Sequence, residues 1–306
     1  MPKAEKKVER VEFLGLKNCF KLSGGGVEAI VTTDVGPRVI SYAYNGGPNH
    51  MRVFEDDFKI KKSDVFVPFG GHRTWHAPEV GGRTNLPDIT PCKYTVKPDG
   101  ITVMSSNALT GLSQGFDITI GGDGLLTVNH TIANDSLFDV ELSVWALSQL
   151  ALGGVLAVPN SRLDTGFIAN RAVAVWPYSK MNDRRVYFGD KYITVKPDAL
   201  DSPPFKFGST VDENYSLYFN HGQVLAKRFD YFYGAEYPNY YCNFESYTNA
   251  EFIETESLSP LLTVEPGEVA VHTEVWAADE CEAIPEHTDE NAIQEAAASV
   301  LKKLGR

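Results

Sequence analysis

The chain has 306 residues, of which 43% are apolar and 22% are charged, and it carries a formal net charge of -12 at pH 7. This composition is typical of a globular protein that is long enough to bury a sizeable core. The acidic balance and the lack of a basic run argue against a nucleic-acid partner, because clustered lysines and arginines hold phosphate backbones.

The N-terminal segment bears on the cellular location. Residues 1–10 are mostly charged and lack the apolar stretch of a signal peptide, and no later window is apolar enough to span a bilayer. The sequence therefore predicts a cytoplasmic protein with no membrane partner. The cysteines stand too far apart for a zinc or redox motif, and we expect buried free thiols at positions 19, 92, 242 and 281.

Short runs of β-branched and aromatic residues alternate with turn residues along most of the chain. They cover residues 11–16, 19–22, 27–33, 38–44, 101–105, 116–120, 125–133, 138–147, 173–176, 192–195, 216–219, 224–232, 251–258, 261–264 and 269–276. Runs of this length predict strands joined by hairpins. Because no linker divides them, we expect one all-β domain over residues 1–306, a sandwich of large antiparallel sheets whose concave face binds a ligand.

The C-terminal segment is the one convincing helix. Thr288 is a suitable N-cap, and Asp289 and Glu290 place acidic groups in the first turn. Apolar residues then recur on one face, at positions 293, 297, 300, 301 and 304. The pattern predicts a helix over about residues 288–305.

Residues 70–79 carry the densest set of reactive side chains. The segment begins with two glycines and has Pro78 near its end, which indicates a loop above the core and disfavours a helical zinc pair. His72 and His76 also fall on one side of an extended chain, and histidine is the natural general acid near neutral pH. The alternative is that both are structural histidines around Trp75.

Glu254 and Glu256 belong to a predicted strand. Strand alternation places the two carboxylates on one face together with Phe252 and Leu258. Repulsion between like charges raises the pKa of at least one carboxyl group, which would make it a competent base near neutral pH. The alternatives are a solvated sheet edge and an acidic patch suited to calcium.

Aromatic residues concentrate between positions 231 and 247, and they include Tyr237. Flat rings stack on the apolar faces of sugars, so this segment and Trp145 are candidate sugar contacts. Lys206 and Lys227 stand among aromatic residues, where they could hold an acidic sugar group. Core packing explains many of these rings equally well, and lysines in such settings often extend their charged ends to water.

Five segments together resemble one known superfamily. They are residues 33–40 (Thr-Asp-Val-Gly-Pro-Arg-Val-Ile), 70–79 (Gly-Gly-His-Arg-x-Trp-x-Ala-Pro-Glu), 144–147 (Val-Trp-Ala-Leu), 252–260 and 266–268 (Pro-Gly-Glu). On these segments, which span most of the chain, the sequence resembles the galactose mutarotase-like superfamily, and more closely its DUF4380 branch.

The resemblance implies a β-supersandwich that binds a sugar or oligosaccharide, acidic ones included, in its concave face. True mutarotases interconvert the anomers of an aldose without a cofactor or metal: a histidine protonates the ring oxygen and a late glutamate takes the proton of the anomeric hydroxyl. By this resemblance, His72 or His76 is the acid and Glu254 or Glu256 the base. Substrate contacts by implication are Arg73, Trp75, Glu79, Trp145, Lys206, Lys227 and Tyr237.

One departure from the family pattern keeps other functions open. Mutarotases carry a further histidine in a His-x-Tyr-Phe-Asn segment, where this chain has the strand that contains Trp145. The same sandwich occurs in polysaccharide lyases and glycosidases, and fold does not settle function. A lyase or hydrolase of a uronic-acid-containing glycan, with Arg73 or Lys206 neutralising the uronate, and a sugar-binding protein without turnover are the alternatives.

Overall fold

A computed structural model describes residues 7–306 of the chain. The first strands are β1 Lys7–Phe13, β2 Leu16–Gly24, β3 Val27–Thr32, β4 Arg38–Tyr44, β5 His72–Ala77, β6 Lys93–Lys97, β7 Gly100–Asn107, β8 Leu112–Ile120, β9 Leu126–Asn134 and β10 Val140–Leu150. The later strands are β11 Val155–Pro159, β12 Val173–Val175, β13 Val186–Phe188, β14 Tyr192–Val195, β15 Phe205–Ser209, β16 Tyr215–Asn220, β17 Gln223–Phe229, β18 Phe244–Thr248, β19 Ile253–Leu258, β20 Leu262–Val264 and β21 Val269–Glu280. The helical segments are a 3-10 helix at Glu55–Lys59, α1 at Pro238–Tyr241 and α2 at Glu290–Lys303.

The strands form two large antiparallel sheets. The front sheet has 11 strands in the order β1-β2-β3-β4-β5-β10-β19-β18-β15-β12, with β20 beside β10. The back sheet has 10 strands in the order β13-β14-β11-β16-β17-β21-β9-β8-β7-β6. This architecture confirms the predicted all-β class with stacked antiparallel sheets and a C-terminal helix.

The main core lies between the two sheets. In β9, fully buried side chains alternate with half-buried ones, as expected for a strand with one face on the core. Phe20 and Val31 of the front sheet belong to the same buried cluster as Phe116, Val128 and Trp276 of the back sheet. Full burial of each large apolar side chain stabilises the fold by about 1.5–3 kcal/mol. The four cysteines are buried and free, as expected.

Helix α2 covers the outer face of the back sheet. Its buried residues Ile293, Ala297 and Val300 join a second cluster with side chains of the back sheet. The N-cap is Asp289, whose side chain accepts a hydrogen bond from the backbone of Ala292 at 3.0 Å. The helix is therefore two residues shorter at each end than predicted. Within residues 7–306, no helix is long and apolar enough to cross a membrane.

The segment 70–79 is a strand at its centre, and the prediction of a loop was wrong. β5 lies between β4 and β10 in the front sheet, and all six of its residues are buried. Gly70 and Gly71, at φ +80° and +73°, turn the chain into the strand. Glycine is required at Gly70, since a Cβ atom there would lie 2.1 Å from the carbonyl oxygen of Arg52.

Candidate functional site

A cleft opens on the face of the front sheet that points away from the back sheet. Its volume is about 690 Å³. The strands supply its floor, and loops supply most of its walls. The floor residues are Arg73, Trp75, Trp145, Leu147, Gln149, Lys206, Tyr247 and Glu254, and the wall residues are Phe54, Asp57, Phe66, Pro68, Glu79, Tyr178, Pro204, Glu251 and Phe252. A second cavity of about 260 Å³ adjoins it and shares Glu79, Trp145 and Lys206.

Strand parity and register bring the floor residues together. Odd-numbered residues of β5 and β10 and even-numbered residues of β19 share the front face, because successive side chains of a strand alternate sides. Two rows cross these three strands, one with Trp75, Trp145 and Leu258, and one with Arg73, Leu147 and Glu256. The first row is apolar, and the second places a cation and an anion on the same face of the sheet.

Glu254 is the carboxylate at the surface of the cleft. Its Oε1 accepts a hydrogen bond from Gln149 Nε2 at 2.8 Å and lies 3.6 Å from Arg73 Nη2. The Arg73 guanidinium lies over the Trp75 ring, 4.2 Å from its centre. Burial lowers the pKa of Arg73 to about 10, with Glu254 opposing the change. Arg73 therefore remains a cation at neutral pH.

Glu256 lies beneath the cleft floor. Its Oε2 accepts hydrogen bonds from Trp145 Nε1 at 2.8 Å and from Lys206 Nζ at 3.0 Å. Lys206 also pairs with Glu245 at 2.7 Å. Burial raises the pKa of Glu256 to about 7, with Lys206 opposing and Glu254 adding to the rise. Burial also opposes the charge on Lys206, but the two partner carboxylates outweigh it and raise the pKa of Lys206.

Sequence comparison gives no relative, since the chain matches no protein-family model and no curated protein. Solved structures do share its architecture. A candidate aldose 1-epimerase from Escherichia coli is 9% identical, with a TM-score of 0.57 over 86% of this chain and 99% of that one. A galactose mutarotase-like protein from Clostridium acetobutylicum is 13% identical, with a TM-score of 0.55 over 90% and 99%. One from Lactobacillus casei is 11% identical, with a TM-score of 0.53 over 86% and 100%.

The chain has the galactose mutarotase-like fold. The fold-level resemblance read from the sequence is thereby confirmed. Identities this low establish the shared fold alone, so the chemistry has to be argued from the residues of this chain.

Neither histidine of β5 lies in the cleft of this mutarotase-like fold. His72 Nε2 is 2.6 Å from His130 Nε2, and its Nδ1 is 2.8 Å from Ser148 Oγ, between the two sheets. His76 contacts Thr84 Oγ1 at 3.3 Å. The even residues of β5 face the back sheet, so the expectation that these histidines share a cleft with the late glutamates is corrected. Burial lowers the pKa of His76 to about 4 and that of His72 well below its usual value.

Two predicted sugar contacts also lie elsewhere. Lys227 is buried between the sheets, 2.9 Å from Glu274 Oε1, and its pKa is lowered by burial against the opposing effect of Glu274. The hydroxyl of Tyr237 accepts a hydrogen bond from the backbone of Phe232 at 2.9 Å, and burial raises its pKa to about 12. Neither residue lines the cleft. Arg73, Trp75, Glu79, Trp145 and Lys206 do line it.

Among residues 7–306, His72, His130 and Glu274 form a group with ligand-type atoms within 4.8 Å of one another. Two imidazoles bound tetrahedrally to one zinc ion hold their nitrogens about 3.3 Å apart, whereas these lie 2.6 Å apart and share a hydrogen bond. His130 Nδ1 donates to the carbonyl of His272 at 3.0 Å, so His72 Nε2 must be the donor of that bond. Glu274 is also paired with Lys227. The three side chains therefore form a network of hydrogen bonds and an ion pair, and this geometry does not match a zinc site.

The sequence interpretation missed Gln149 and Glu245. The predicted strand ended at residue 147, whereas β10 continues to Leu150, so Gln149 was not placed on the face of Trp145. Glu245 stood in a segment interpreted as aromatic-rich loop, although its β18 position pairs with Glu256. Strand parity applied to the full strands would have found both residues.

Proposed function

We propose that this protein binds a neutral aldose in the cleft and interconverts its anomers, as an aldose 1-epimerase-like isomerase. The observation that carries the proposal is the placement of Glu254. Gln149 and Arg73 hold its Oε1, while its Oε2 has no hydrogen-bond partner among residues 7–306 and belongs to a residue that lines the cleft. A carboxylate held at one oxygen and open at the other can accept a proton from a bound hydroxyl.

The charges around the cleft favour a neutral sugar. Carboxylates outnumber cations in the lining of the two cavities, with Asp57, Glu79, Glu245, Glu251 and Glu254 against Arg73 and Lys206. Both cations are already paired with buried carboxylates. Because a uronate would meet a surplus of negative charge, the lining does not support a lyase acting on acidic glycans.

Aromatic side chains supply the stacking surface that a sugar needs. Trp75 and Trp145 pack edge to face on the floor, with ring centres 5.6 Å apart. Tyr247 adds a ring to the floor, and Tyr178 and Phe252 stand along the wall. Such rings cover the apolar face of a pyranose while polar groups bind its hydroxyls.

The chemistry requires one proton acceptor and one donor. Glu254 takes the proton of the anomeric hydroxyl as the bond between the anomeric carbon and the ring oxygen breaks, and the ring oxygen gains a proton. The resulting open-chain aldehyde rotates and recloses on its other face, and both protons return. Lys206 is the proton donor that we assign, because it lines the cleft as an ammonium held by Glu245 and Glu256. The histidines of β5 do not reach this position.

Anomer exchange measured by NMR on freshly dissolved α-D-glucose and α-D-galactose tests the proposal. We expect the protein to accelerate exchange, and Glu254→Gln to lower the acceleration by roughly 100- to 10,000-fold, the usual effect of losing a general base. Glu141→Gln changes an exposed glutamate of β10 and serves as the matched control. If the wild-type protein adds nothing to the spontaneous rate of any aldose, the isomerase proposal fails.

A sugar-binding protein without turnover is the second candidate. One observation favours it: among residues 7–306, no histidine lines the cleft. Calorimetric binding of an aldose by the wild-type chain, together with an unchanged exchange rate, would establish this function instead.

A further inference from the structure

The second cavity shares part of its lining with the cleft. Its volume is about 260 Å³. Glu79, Trp145 and Lys206 line both spaces, whereas Trp176 and Asn239 line the second cavity and not the cleft. A hexose unit takes the space of roughly six water molecules of about 30 Å³ each. The second cavity therefore has room for one sugar unit directly beside the cleft.

Aromatic rings continue from the cleft floor into the second cavity. The ammonium of Lys206 lies 4.6 Å from the centre of the Trp145 ring and 4.8 Å from the centre of the Trp176 ring. It thus stands between an indole of the cleft and an indole of the second cavity. Trp176 is half-buried, so part of its ring is accessible to a ligand. Accessible aromatic rings of this kind cover the apolar face of a sugar.

Accessible polar groups accompany the rings. The Glu79 carboxylate is exposed, and among residues 7–306 it has no hydrogen-bond or ion-pair partner. The half-buried Asn239 donates from its Nδ2 to Glu245 Oε1 at 2.7 Å. Its amide keeps a second N–H and a carbonyl oxygen for other partners. The second cavity therefore offers both donors and acceptors at its surface, as sugar hydroxyls require.

The turn that carries Asn239 is strained. Asn239, Tyr240 and Tyr241 of α1 have φ values of +53°, +63° and +66°, a left-handed conformation that is costly for residues other than glycine. Burial of the tyrosine rings does not offset this cost, because they are 85% and 59% exposed. Strained residues cluster at ligand sites. In this turn, the strained backbone sets the Asn239 amide in the wall of the second cavity.

We propose that the second cavity is a sugar subsite, so that the ligand of this protein is a neutral oligosaccharide with a reducing end. This inference rests on the proposed role of Glu254, which places the reducing unit in the cleft. The next unit lies beyond Trp145 and Lys206, where it packs against Trp176 and forms hydrogen bonds with Asn239.

Equilibrium binding of sugars to the full chain tests the inference. Calorimetry compares D-glucose with maltose, isomaltose, cellobiose and lactose, which all end in a reducing glucose unit and differ in the second unit or its linkage. We expect at least one disaccharide to bind roughly 10- to 100-fold more tightly than glucose, the gain from one stacking contact and one or two hydrogen bonds. If no disaccharide exceeds glucose by more than about threefold, the inference fails.

Two variants test whether that gain comes from the second cavity. Trp176→Ala removes the ring and should lower the ratio of disaccharide to glucose affinity by roughly 3- to 10-fold. Asn239→Gly removes the amide at a position whose φ glycine adopts freely, and should lower the ratio by roughly 2- to 10-fold. Tyr240→Gly is the matched control, because it relieves strain in the same turn at a residue that lines neither cavity.

The control should keep the affinity ratio of the wild-type chain. If Trp176→Ala does not fold, Asn239→Gly still decides, because glycine suits the left-handed position. An unchanged ratio in the folded variants of the second cavity overturns the subsite even where a disaccharide binds more tightly than glucose.

The outcomes separate this inference from the proposed function. A disaccharide preference that the variants reduce, without acceleration of anomer exchange, supports the subsite and refutes the isomerase. Acceleration of exchange on glucose with no preference for any disaccharide overturns the inference alone. Failure of every sugar to bind overturns both.

Discussion

Mild acid should destabilise this protein strongly, because most of its histidines are buried in the neutral form. Burial is the main cause in each case: it lowers the pKa of His130 and His272 to about 3 and of His50 and His76 to about 4, and it holds that of His72 well below its usual value. The unfolded chain binds these protons near pH 6.5. Stability is therefore full above pH 6.5 and is lost as the pH falls toward the folded pKa values.

The size of the effect follows from proton linkage. Between pH 7 and pH 5, each of the five histidines lowers the free energy of unfolding by about 1.9 kcal/mol, or nearly 10 kcal/mol together. Glu256 acts in the opposite direction: its folded pKa of about 7 lies above the unfolded value, so it gains about 2 kcal/mol over the same range. The net loss is at most about 7 to 8 kcal/mol, because burial also raises the pKa of Glu245, which acts in the same direction as Glu256. A loss of this order is comparable to the whole stability of a typical domain.

Urea unfolding at constant ionic strength and a series of pH values measures this loss. Near pH 6 the free energy of unfolding should change by at most about 4 kcal/mol per pH unit. His76→Gln should reduce that slope by about 1 kcal/mol per pH unit, because one titrating group is removed. Equal stability at pH 7 and pH 5 would refute the reasoning, since it would require the buried histidines to be charged in the folded state.

Three further predictions concern the residues around the site. Glu274→Gln leaves the Lys227 ammonium buried without a counter-ion and should lower the free energy of unfolding, measured in urea, by about 3–5 kcal/mol. The double variant with Lys227→Met should recover most of that loss, and the absence of recovery would contradict the importance of the ion pair. Zinc at micromolar concentration should move the thermal midpoint by less than about 1 °C, because ions that bind only weakly stabilise little, and a large rise would show that the buried histidine pair opens to bind metal. Gly70→Ala places a Cβ atom 2.1 Å from the carbonyl oxygen of Arg52 and should lower the calorimetric midpoint well beyond the effect of Gly82→Ala, where the surroundings are open; equal effects would contradict the steric argument.

The front-sheet strand with the two glutamates shows how much of the site the sequence could predict. Period-two alternation placed Glu254 and Glu256 on one face with Leu258, and in β19 they share that face. The alternation could not predict how deeply each of the two carboxylates is buried. Glu254 lines the cleft, whereas Glu256 is fully buried under Trp145, because a side chain from a neighbouring strand covers it. Such cover depends on sheet order, which local sequence does not encode.

The segment around β5 shows why the rest could not be predicted. Its polar residues and flanking glycines are typical of a loop, since buried strands are usually apolar. They are tolerated here because distant strands provide partners: His130 on β9 receives the hydrogen bond of His72, and Gly115 on β8 accepts one from Thr74. Residues this far apart in sequence carry no local signal of their contact. Polar groups that find partners only in the folded state therefore look like surface groups in the sequence.

Parity along β5 decides which of its residues face the cleft. His72 and His76 face the back sheet, and Arg73 and Trp75 face the cleft. A shift of one residue in the pairing with β10 would exchange the two sets, giving the cleft its histidines and the core a guanidinium. The register is held against that shift because Arg73 is compensated by Glu254 on the front face, and a buried unpaired guanidinium would be far costlier than neutral histidines in a closed network. The electrostatic cost of burying Arg73 thus keeps His72 and His76 out of the cleft, and the proposed chemistry therefore rests on Glu254 and Lys206.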